Sequence, residues 1–407
     1  MFVKNLKIER ELKITRELAR APDVFVIDFV NAILEDAFFL RASDIHLHPS
    51  EESIIIRFRV DGILCDVSTF SHHIFSKVVL RLKIISNLRT DEHKTPQDGR
   101  FRYSLENTSF DVRISFVPTH YGESVVLRLL TNTLGDNTLS GLGFLASDEE
   151  NILREIKRQN GMILMTGPTG SGKTTTLYTL VRLLNRKENS IITIEDPIEY
   201  ALAGIKQIQT QPRVGLTFAN GLRSILRQDP DIIMVGEIRD NETAQIAINT
   251  ALTGHLLLST LHTVDCATTI PRFLDMGIEP FLVASTLRLV IAQRLVRKIC
   301  VHCKVARPMS MAEKETLHNI YGHDLQNAFY GIGCKNCAHS GYNGRVVVNE
   351  ILVVDDLIRD AIIARLSAVQ IKNIAMKHGM VSLVVDGLRK VEMGLTTIEE
   401  IFRCLHD

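Results

Sequence analysis

The stretch "GMILMTGPTGSGKTTTLY", residues 161–178, decides the fold of the region around it. An apolar run with strand character leads into a loop that fits G-x4-G-K-[ST], and an amphipathic helix follows from Lys173. Glycines let backbone N–H groups converge on phosphate oxygens, and the start of the helix adds its positive end. The stretch therefore predicts a strand, a phosphate-binding loop and a helix. The alternative is an ordinary glycine-rich corner between strand and helix.

The roles within this loop follow from its residue types. Lys173 would hold the β- and γ-phosphates of ATP, and the Thr174 hydroxyl would ligate Mg²⁺. We predict that the nucleotide is held by nine consecutive residues: Gly167, Pro168, Thr169, Gly170, Ser171, Gly172, Lys173, Thr174 and Thr175.

Strand and helix patterns alternate from residue 148 to about 300. Further apolar strands are predicted at 190–195, 231–236 and 255–260, with helices near 217–228 and from Glu242 between them. Such alternation predicts an α/β fold with a parallel sheet covered by helices.

Three chemically active side chains follow the ends of these strands. Glu195 ends one strand, Glu237 comes just after another, and His262 follows the third. Because sites form at the carboxyl ends of parallel strands, we expect them near the phosphate loop. One acid can polarise the attacking water while the other positions Mg²⁺, and the residues alone leave the assignment open. His262 is a candidate for contact with the γ-phosphate or a neighbouring subunit; the alternative is a structural histidine.

Residues 22–130 have a different pattern, with period-two strands around two helices, typical of a small α+β domain. Arg113 and Arg128 lie within apolar β patterns of this region. Hydrolysis of ATP needs positive charge near the transferred phosphate, which makes both arginines catalytic candidates. The alternative is that each lies on a solvated strand face.

Two CxxC pairs, Cys300/Cys303 and Cys334/Cys337, are candidate ligands of a structural Zn²⁺. The 30 residues between the pairs exceed the usual spacing and are predicted to contain a helical insertion. His302 and His339 are alternative ligands, and a set of buried free cysteines is the alternative without metal.

Composition limits the class of protein. The 407 residues are 45% hydrophobic and 23% charged, and 47 basic residues balance 47 acidic ones. This neutrality disfavours nucleic acid as the main partner. The N-terminus has no apolar signal segment, and no apolar run is long enough for a membrane span, so we expect a cytoplasmic protein.

The predicted organisation has six parts. They are an N-terminal helical extension (1–21), an α+β domain (22–130), a linker (131–147), a RecA-like ATPase core (148–299), a tetracysteine zinc module (300–345) and a C-terminal helical region (346–407).

From about residue 43 to 407, the chain resembles the ATPases of bacterial type II secretion and type IV pilus assembly. The resemblance rests on the phosphate loop, the two CxxC pairs and several specific motifs, namely "RASDIHLHP", "RFRVDGIL", "PQDGRF", "ITIEDPIEY", "GLTFANGLRSILRQDPDIIMVGEIRD", "TGHLLLSTLHT" and "GYNGR". Together these motifs are far more selective than the phosphate loop alone.

The resemblance implies a hexameric ring of subunits, each with a PAS-like α+β domain linked to a RecA-like ATPase domain. ATP would lie between these domains, and their rotation would move a membrane platform protein that adds pilin subunits. In this family Arg113 and Arg128 match arginines that reach the phosphates, and the four cysteines match a zinc module absent from retraction ATPases. The protein would lie at the inner face of the plasma membrane through its partners.

One departure concerns docking. Family members usually carry a further N-terminal docking domain, whereas only about 20 residues precede the α+β domain here. A secretion, pilus or competence system therefore remains open, as do the docking partner and the exported substrate. Two alternatives from other classes are a RecA-like nucleic-acid motor and a slow nucleotide-dependent switch module.

Overall fold

The computed structural model describes residues 12–21, 23–105, 108–130, 138–322 and 327–405. Much of the predicted N-terminal extension and the first part of the predicted linker lie outside these ranges. The chain divides into two compact units, of which the first holds the described residues before 134 together with Ile299–Val305 and Tyr330–Gly344. The second unit holds the other described residues.

The N-terminal part of the first unit is built from three helices and one antiparallel sheet. The helices are α1 (Lys13–Leu18), α2 (Val26–Phe39) and α3 (His72–Ile85). The strands are β1 (Ala42–Pro49), β2 (Ile54–Val60), β3 (Ile63–Phe70), β4 (Gln97–Leu105), β5 (Thr108–Thr119) and β6 (Gly122–Leu130). The sheet order is β3-β2-β1-β6-β5-β4, and neighbouring strands run antiparallel. The predicted small α+β domain is confirmed.

Alternation of apolar and polar residues gives this sheet two different faces. Ile45, Leu47 and Phe58 are buried in a core that also contains Phe29 of α2. Successive side chains of a strand point to opposite faces of the sheet, so Arg57 and Arg59, which flank Phe58 on β2, lie on the other face. The turn between β2 and β3 has positive φ at Asp61 (48°) and Gly62 (87°), as a two-residue hairpin turn requires.

The second unit contains a seven-stranded sheet of order β15-β12-β7-β11-β10-β8-β9. Its strands are β7 (Gly161–Thr166), β8 (Ile191–Glu195), β9 (Lys206–Gln209), β10 (Ile232–Val235), β11 (Leu256–Leu261), β12 (Leu287–Ile299) and β15 (Tyr342–Val353). The five pairings from β12 to β9 are parallel. Every residue of β7, β8, β10 and β11 is buried, because parallel sheets are covered on both faces.

Helices surround this sheet. They are α4 (Leu139–Leu142), α5 (Ala146–Glu155), α6 (Lys173–Leu184), α7 (Phe218–Ile225), α8 (Asn241–Leu252), α9 (Thr269–Asp275), α10 (Pro280–Thr286), α11 (Met311–Tyr321), α12 (Asp356–Ile363), α13 (Ala368–Lys377), α14 (Leu383–Glu392) and α15 (Ile398–Leu405). Strands β13 (Lys304–Pro308) and β14 (Asn327–Gly331) pair separately. Among the described residues, no helix is long and apolar enough to cross a bilayer.

The structure extends the predicted sheet and corrects one segment. Residues 346–353, predicted to begin the C-terminal helical region, belong instead to strand β15. Strand β12 likewise lies beyond the last strand that the alternation indicated. Polar residues interrupt both segments, Asn349 and Glu350 in β15 and Gln293 and Arg294 in β12. Neither segment therefore shows the uninterrupted apolar run that indicated the other buried strands.

Candidate active site

The phosphate loop forms as the sequence predicts, between the end of β7 and the first residue of α6. Gly167, Gly170 and Gly172 all have positive φ, at 139°, 80° and 88°. A Cβ on Gly167 would lie 2.4 Å from the carbonyl oxygen of Gln293, so a larger residue does not fit there. The glycines therefore give the loop the tight backbone path that a phosphate cradle needs.

Lys173 is directed into the loop and is only 8% exposed. Its Nζ donates hydrogen bonds to the carbonyl oxygens of Gly167 (2.7 Å) and Pro168 (3.0 Å). Burial lowers the pKa of Lys173 to about 8; Glu237 opposes this change and Arg294 adds to it. The ammonium group thus lies where nearby negative charge would stabilise it.

The sheet order brings the predicted polar residues to the same edge as the loop. Strands β7, β11, β10 and β8 are consecutive and parallel, so their carboxyl ends meet. Glu237 follows β10, and its Oε2 lies 3.3 Å from Nε2 of His262, which follows β11. Oε1 of Glu237 also pairs with Arg239 at 2.5 Å. The Glu237 side chain is 14% exposed, so it faces a partly open edge.

Glu195, at the end of β8, has a different environment. It is 3% exposed and accepts hydrogen bonds from Thr193 Oγ1 (2.6 Å), Gln207 Nε2 (3.1 Å) and the Tyr178 hydroxyl. Burial, followed by this hydrogen bond to Glu195, raises the pKa of Tyr178. Three donors therefore hold the Glu195 carboxylate, which leaves Glu237 as the more accessible acid.

Two residues that lie near the phosphate loop, Gln293 and Arg294, were not identified from the sequence. Gln293 of β12 donates from Nε2 to the carbonyl oxygen of Ser171 (2.7 Å) and accepts from Thr176 Oγ1 (2.9 Å). Arg294 donates from Nη2 to the carbonyl oxygen of Val264 at 2.9 Å. The available signal was a polar pair inside the apolar run "LRLVIAQRLV".

Arg113 and Arg128 lie directly opposite each other on β5 and β6, in the first unit. Nε of Arg128 pairs with Oδ1 of Asp44 at 2.9 Å, and the arginine side chain is 60% exposed. The Asp44 carboxylate thus offsets part of the positive charge that Arg128 places beside Arg113. The structure brings these two arginines together in a different unit from the phosphate loop.

The four cysteines predicted to bind zinc form one cluster. Their sulfur atoms all lie within 4.8 Å of one another, and three of the separations are 3.8 Å. Zinc–sulfur bonds of about 2.3 Å place tetrahedral ligands about 3.8 Å apart, so the geometry fits Zn²⁺. Of the described residues, neither His302 nor His339 belongs to this cluster.

Protonation in this cluster is uneven. Burial raises the pKa of Cys303 to about 12. Burial acts in the same direction on Cys337, but hydrogen bonds from the backbone N–H groups of Cys334 and Gly341 lower its pKa to about 7. The Cys337 thiol therefore loses its proton more readily than the Cys303 thiol, and the thiolate is the form that binds metal.

The parallel sheet, the phosphate loop and the acids at its edge define a P-loop ATPase. A family model described as "Type II/IV secretion system protein" matches residues 19–403. The chain belongs to this family, which confirms the resemblance and the predicted ATPase activity.

Several curated relatives are similar over most of this chain. The Aeromonas hydrophila "Type II secretion system protein E" is 43% identical over 97% of this chain and 79% of its own length. The Vibrio cholerae "Type II secretion system ATPase E" is 45% identical over 94% of this chain and 75% of its own length. The Thermus thermophilus "Type IV pilus assembly ATPase PilB" is 45% identical over 92% of this chain but 42% of its own length.

Solved structures agree on the fold. The Legionella pneumophila ATPase DotB aligns with a TM-score of 0.70 and 24% identity, covering 94% of this chain and 97% of DotB. The pilus retraction motor PilT with bound ADP aligns with a TM-score of 0.62 and 26% identity, covering 91% of this chain and 95% of PilT.

Proposed function

We propose that this protein hydrolyses ATP with Mg²⁺ to power assembly of a pilus or of the pseudopilus of a type II secretion system. The main observation in support of this proposal is that three predicted residues share one edge of the sheet. Lys173 of the phosphate loop interacts electrostatically with Glu237, and Glu237 contacts His262. This arrangement combines a phosphate-binding cation with an acid able to orient the attacking water. Family membership directs the activity towards secretion and pilus assembly.

Each site residue has a proposed role. Lys173 binds the β- and γ-phosphates, and Thr174 would hold Mg²⁺, which neutralises charge on the phosphates. Glu237 is the general base, because it is the more accessible of the two acids. Glu195 supports the site through its contacts with Tyr178 and neighbouring residues. His262 orients Glu237.

The remaining proposals concern charge, metal and partners. Arg113 and Arg128, which lie opposite each other on β5 and β6, supply positive charge to the transferred phosphate. The four cysteines bind Zn²⁺. The subunits form a homo-oligomeric ring, proposed to be hexameric, on a membrane platform protein at the cytoplasmic face of the inner membrane.

The first experiment measures Mg²⁺-dependent phosphate release from ATP against protein concentration, with and without single-stranded DNA. We expect specific activity to rise with protein concentration, because neighbouring subunits complete the sites, and to be unaffected by single-stranded DNA. A flat specific activity that DNA stimulates would instead identify a nucleic-acid motor. Slow single-turnover hydrolysis would identify a switch module.

The choice of base is tested by a matched pair of variants. Glu237→Gln should lower kcat by about 100-fold or more while nucleotide still binds, since proton transfer contributes about 10²–10⁴-fold. Glu195→Gln should reduce thermal stability as well as activity, because it disturbs a buried hydrogen-bonded group. A larger kcat loss in Glu195→Gln than in Glu237→Gln, at equal stability, would reverse the assignment.

A further inference from the structure

The segment 262–266, which follows β11, contains His262 and is fastened on two sides. On the side of the phosphate loop, it contacts Thr166, the last residue of β7. The backbone N–H of Thr263 donates to Thr166 Oγ1 at 3.0 Å, and the two hydroxyl oxygens lie 2.6 Å apart. The segment is thus bonded to the residue that immediately precedes the phosphate loop.

The other side of the segment is fastened by residues remote in sequence. Nζ of Lys372, on α13, lies 2.9 Å from Oδ2 of Asp265 and 3.4 Å from Oε2 of Glu350, on β15. Oε1 of Glu350 accepts a hydrogen bond from the backbone N–H of Cys266 at 3.1 Å. Lys372 therefore joins a C-terminal helix to the segment through two carboxylates.

Because Glu350 is buried and Asp265 is partly buried, leaving either carboxylate unpaired would be destabilising. The Glu350 side chain is 0% exposed and that of Asp265 is 18% exposed, so both carboxylates need a nearby cation. Burial acts against the charged form of Lys372, but its hydrogen bond with Asp265 and the charge of Glu350 raise its pKa overall. Arg294 contributes a further cation near the same acids, donating to Val264 within the segment.

We propose that Lys372 is a positioning residue for ATP hydrolysis. It fixes Asp265, and through the 262–266 segment it fixes His262 beside Glu237. The inference rests on the proposed function, because it assigns a role in that same site. Loss of the tether leaves the phosphate loop intact and allows His262 to move, so catalysis should suffer more than nucleotide binding.

The test uses the full-length chain and the variant Lys372→Met, which keeps an apolar stem and removes the charge. We expect kcat for ATP to fall by about tenfold, with less than about a threefold change in affinity for a fluorescent ADP analogue. Lys372→Arg should restore most of kcat. Lys377→Met, on an exposed position of the same helix, is the matched control and should leave kcat unchanged.

A second variant separates positioning from stability, because Lys372→Met leaves the buried Glu350 carboxylate without its ion-pair partner. The double variant Lys372→Met/Glu350→Gln removes that buried charge and should recover the melting temperature, while kcat stays low. Recovery of kcat together with the melting temperature would overturn the proposal, as would a parallel loss of kcat and nucleotide affinity in Lys372→Met. Wild-type protein without ATPase activity would instead refute the proposed function.

Discussion

Replacement of Glu400 by Gln should strongly destabilise the second unit. Glu400, on α15, has a side chain that is 2% exposed. Its carboxylate pairs with Arg297 of β12 at 2.7 Å and with Arg403 at 2.8 Å, and it accepts from the backbone N–H of Arg297 at 2.9 Å. Burial alone would raise the pKa of Glu400, but hydrogen bonds from Arg403 and Arg297 lower it from 4.5 to about 2.

The size of the effect follows from this pKa. One pKa unit corresponds to about 1.4 kcal/mol, so the ionised carboxylate contributes about 3 kcal/mol to the free energy of unfolding at pH 7. A lowered pKa gives stability that is complete above the unfolded value and is lost as pH falls towards the folded one. The contribution should decline as pH falls, to about 1 kcal/mol at pH 3, with an intermediate value at pH 4.

Urea unfolding of wild-type and Glu400→Gln protein at pH 7, 4 and 3 measures this difference directly. Glu399→Gln is the matched control, because the adjacent Glu399 is 64% exposed and lies 3.6 Å from Arg307. Exposed pairs contribute about 0–1 kcal/mol. A stability gap for Glu400→Gln that stayed constant between pH 7 and pH 3 would refute the ionic explanation.

Three further predictions concern the sites. Lys173→Ala should weaken ATP binding by about 100-fold or more, since a charge-assisted phosphate contact is lost; unchanged affinity in equilibrium binding would remove the assignment of the phosphate loop. Tyr178→Phe should reduce the free energy of unfolding by about 1–3 kcal/mol, because Glu195 loses one of its donors, and denaturant unfolding that matches wild type would contradict this. Cys337→Ser should remove bound zinc, measured by elemental analysis, and a native protein that contains no zinc would disprove the metal site.

The sequence predicted those features that depend on local pattern. The glycine and lysine spacing located the phosphate loop, and buried apolar runs located β8, β10 and β11 with Glu195 and Glu237 at their ends. Paired CxxC spacing identified the four cysteines whose sulfur atoms the structure brings within 4.8 Å of one another. In each case one short segment carries enough information to define its own conformation or chemistry.

The features that the sequence did not reveal depend on contacts between distant segments. Gln293 and Lys372 are ordinary polar residues until the sheet places β12 beside β7 and α13 near segment 262–266. The environment of Glu195 likewise depends on Gln207 and Tyr178, which lie on other elements. Local patterns therefore gave the candidate acids but not the burial that distinguishes them.

The position of the four cysteines has a consequence for how the chain folds. Strands β12 and β15 are neighbours in the sheet, but the chain makes a long excursion between them, and the cysteine pairs stand at its two ends. A metal that joins Cys300 to Cys334, 34 residues apart, would close this loop and hold its two ends together. Cross-linking a loop of that length removes about 4 kcal/mol of chain entropy from the unfolded state. The metal would thus favour the pairing of β15 with β12 at the edge of the sheet. The supply of zinc during synthesis would therefore influence how fast the ATPase core folds.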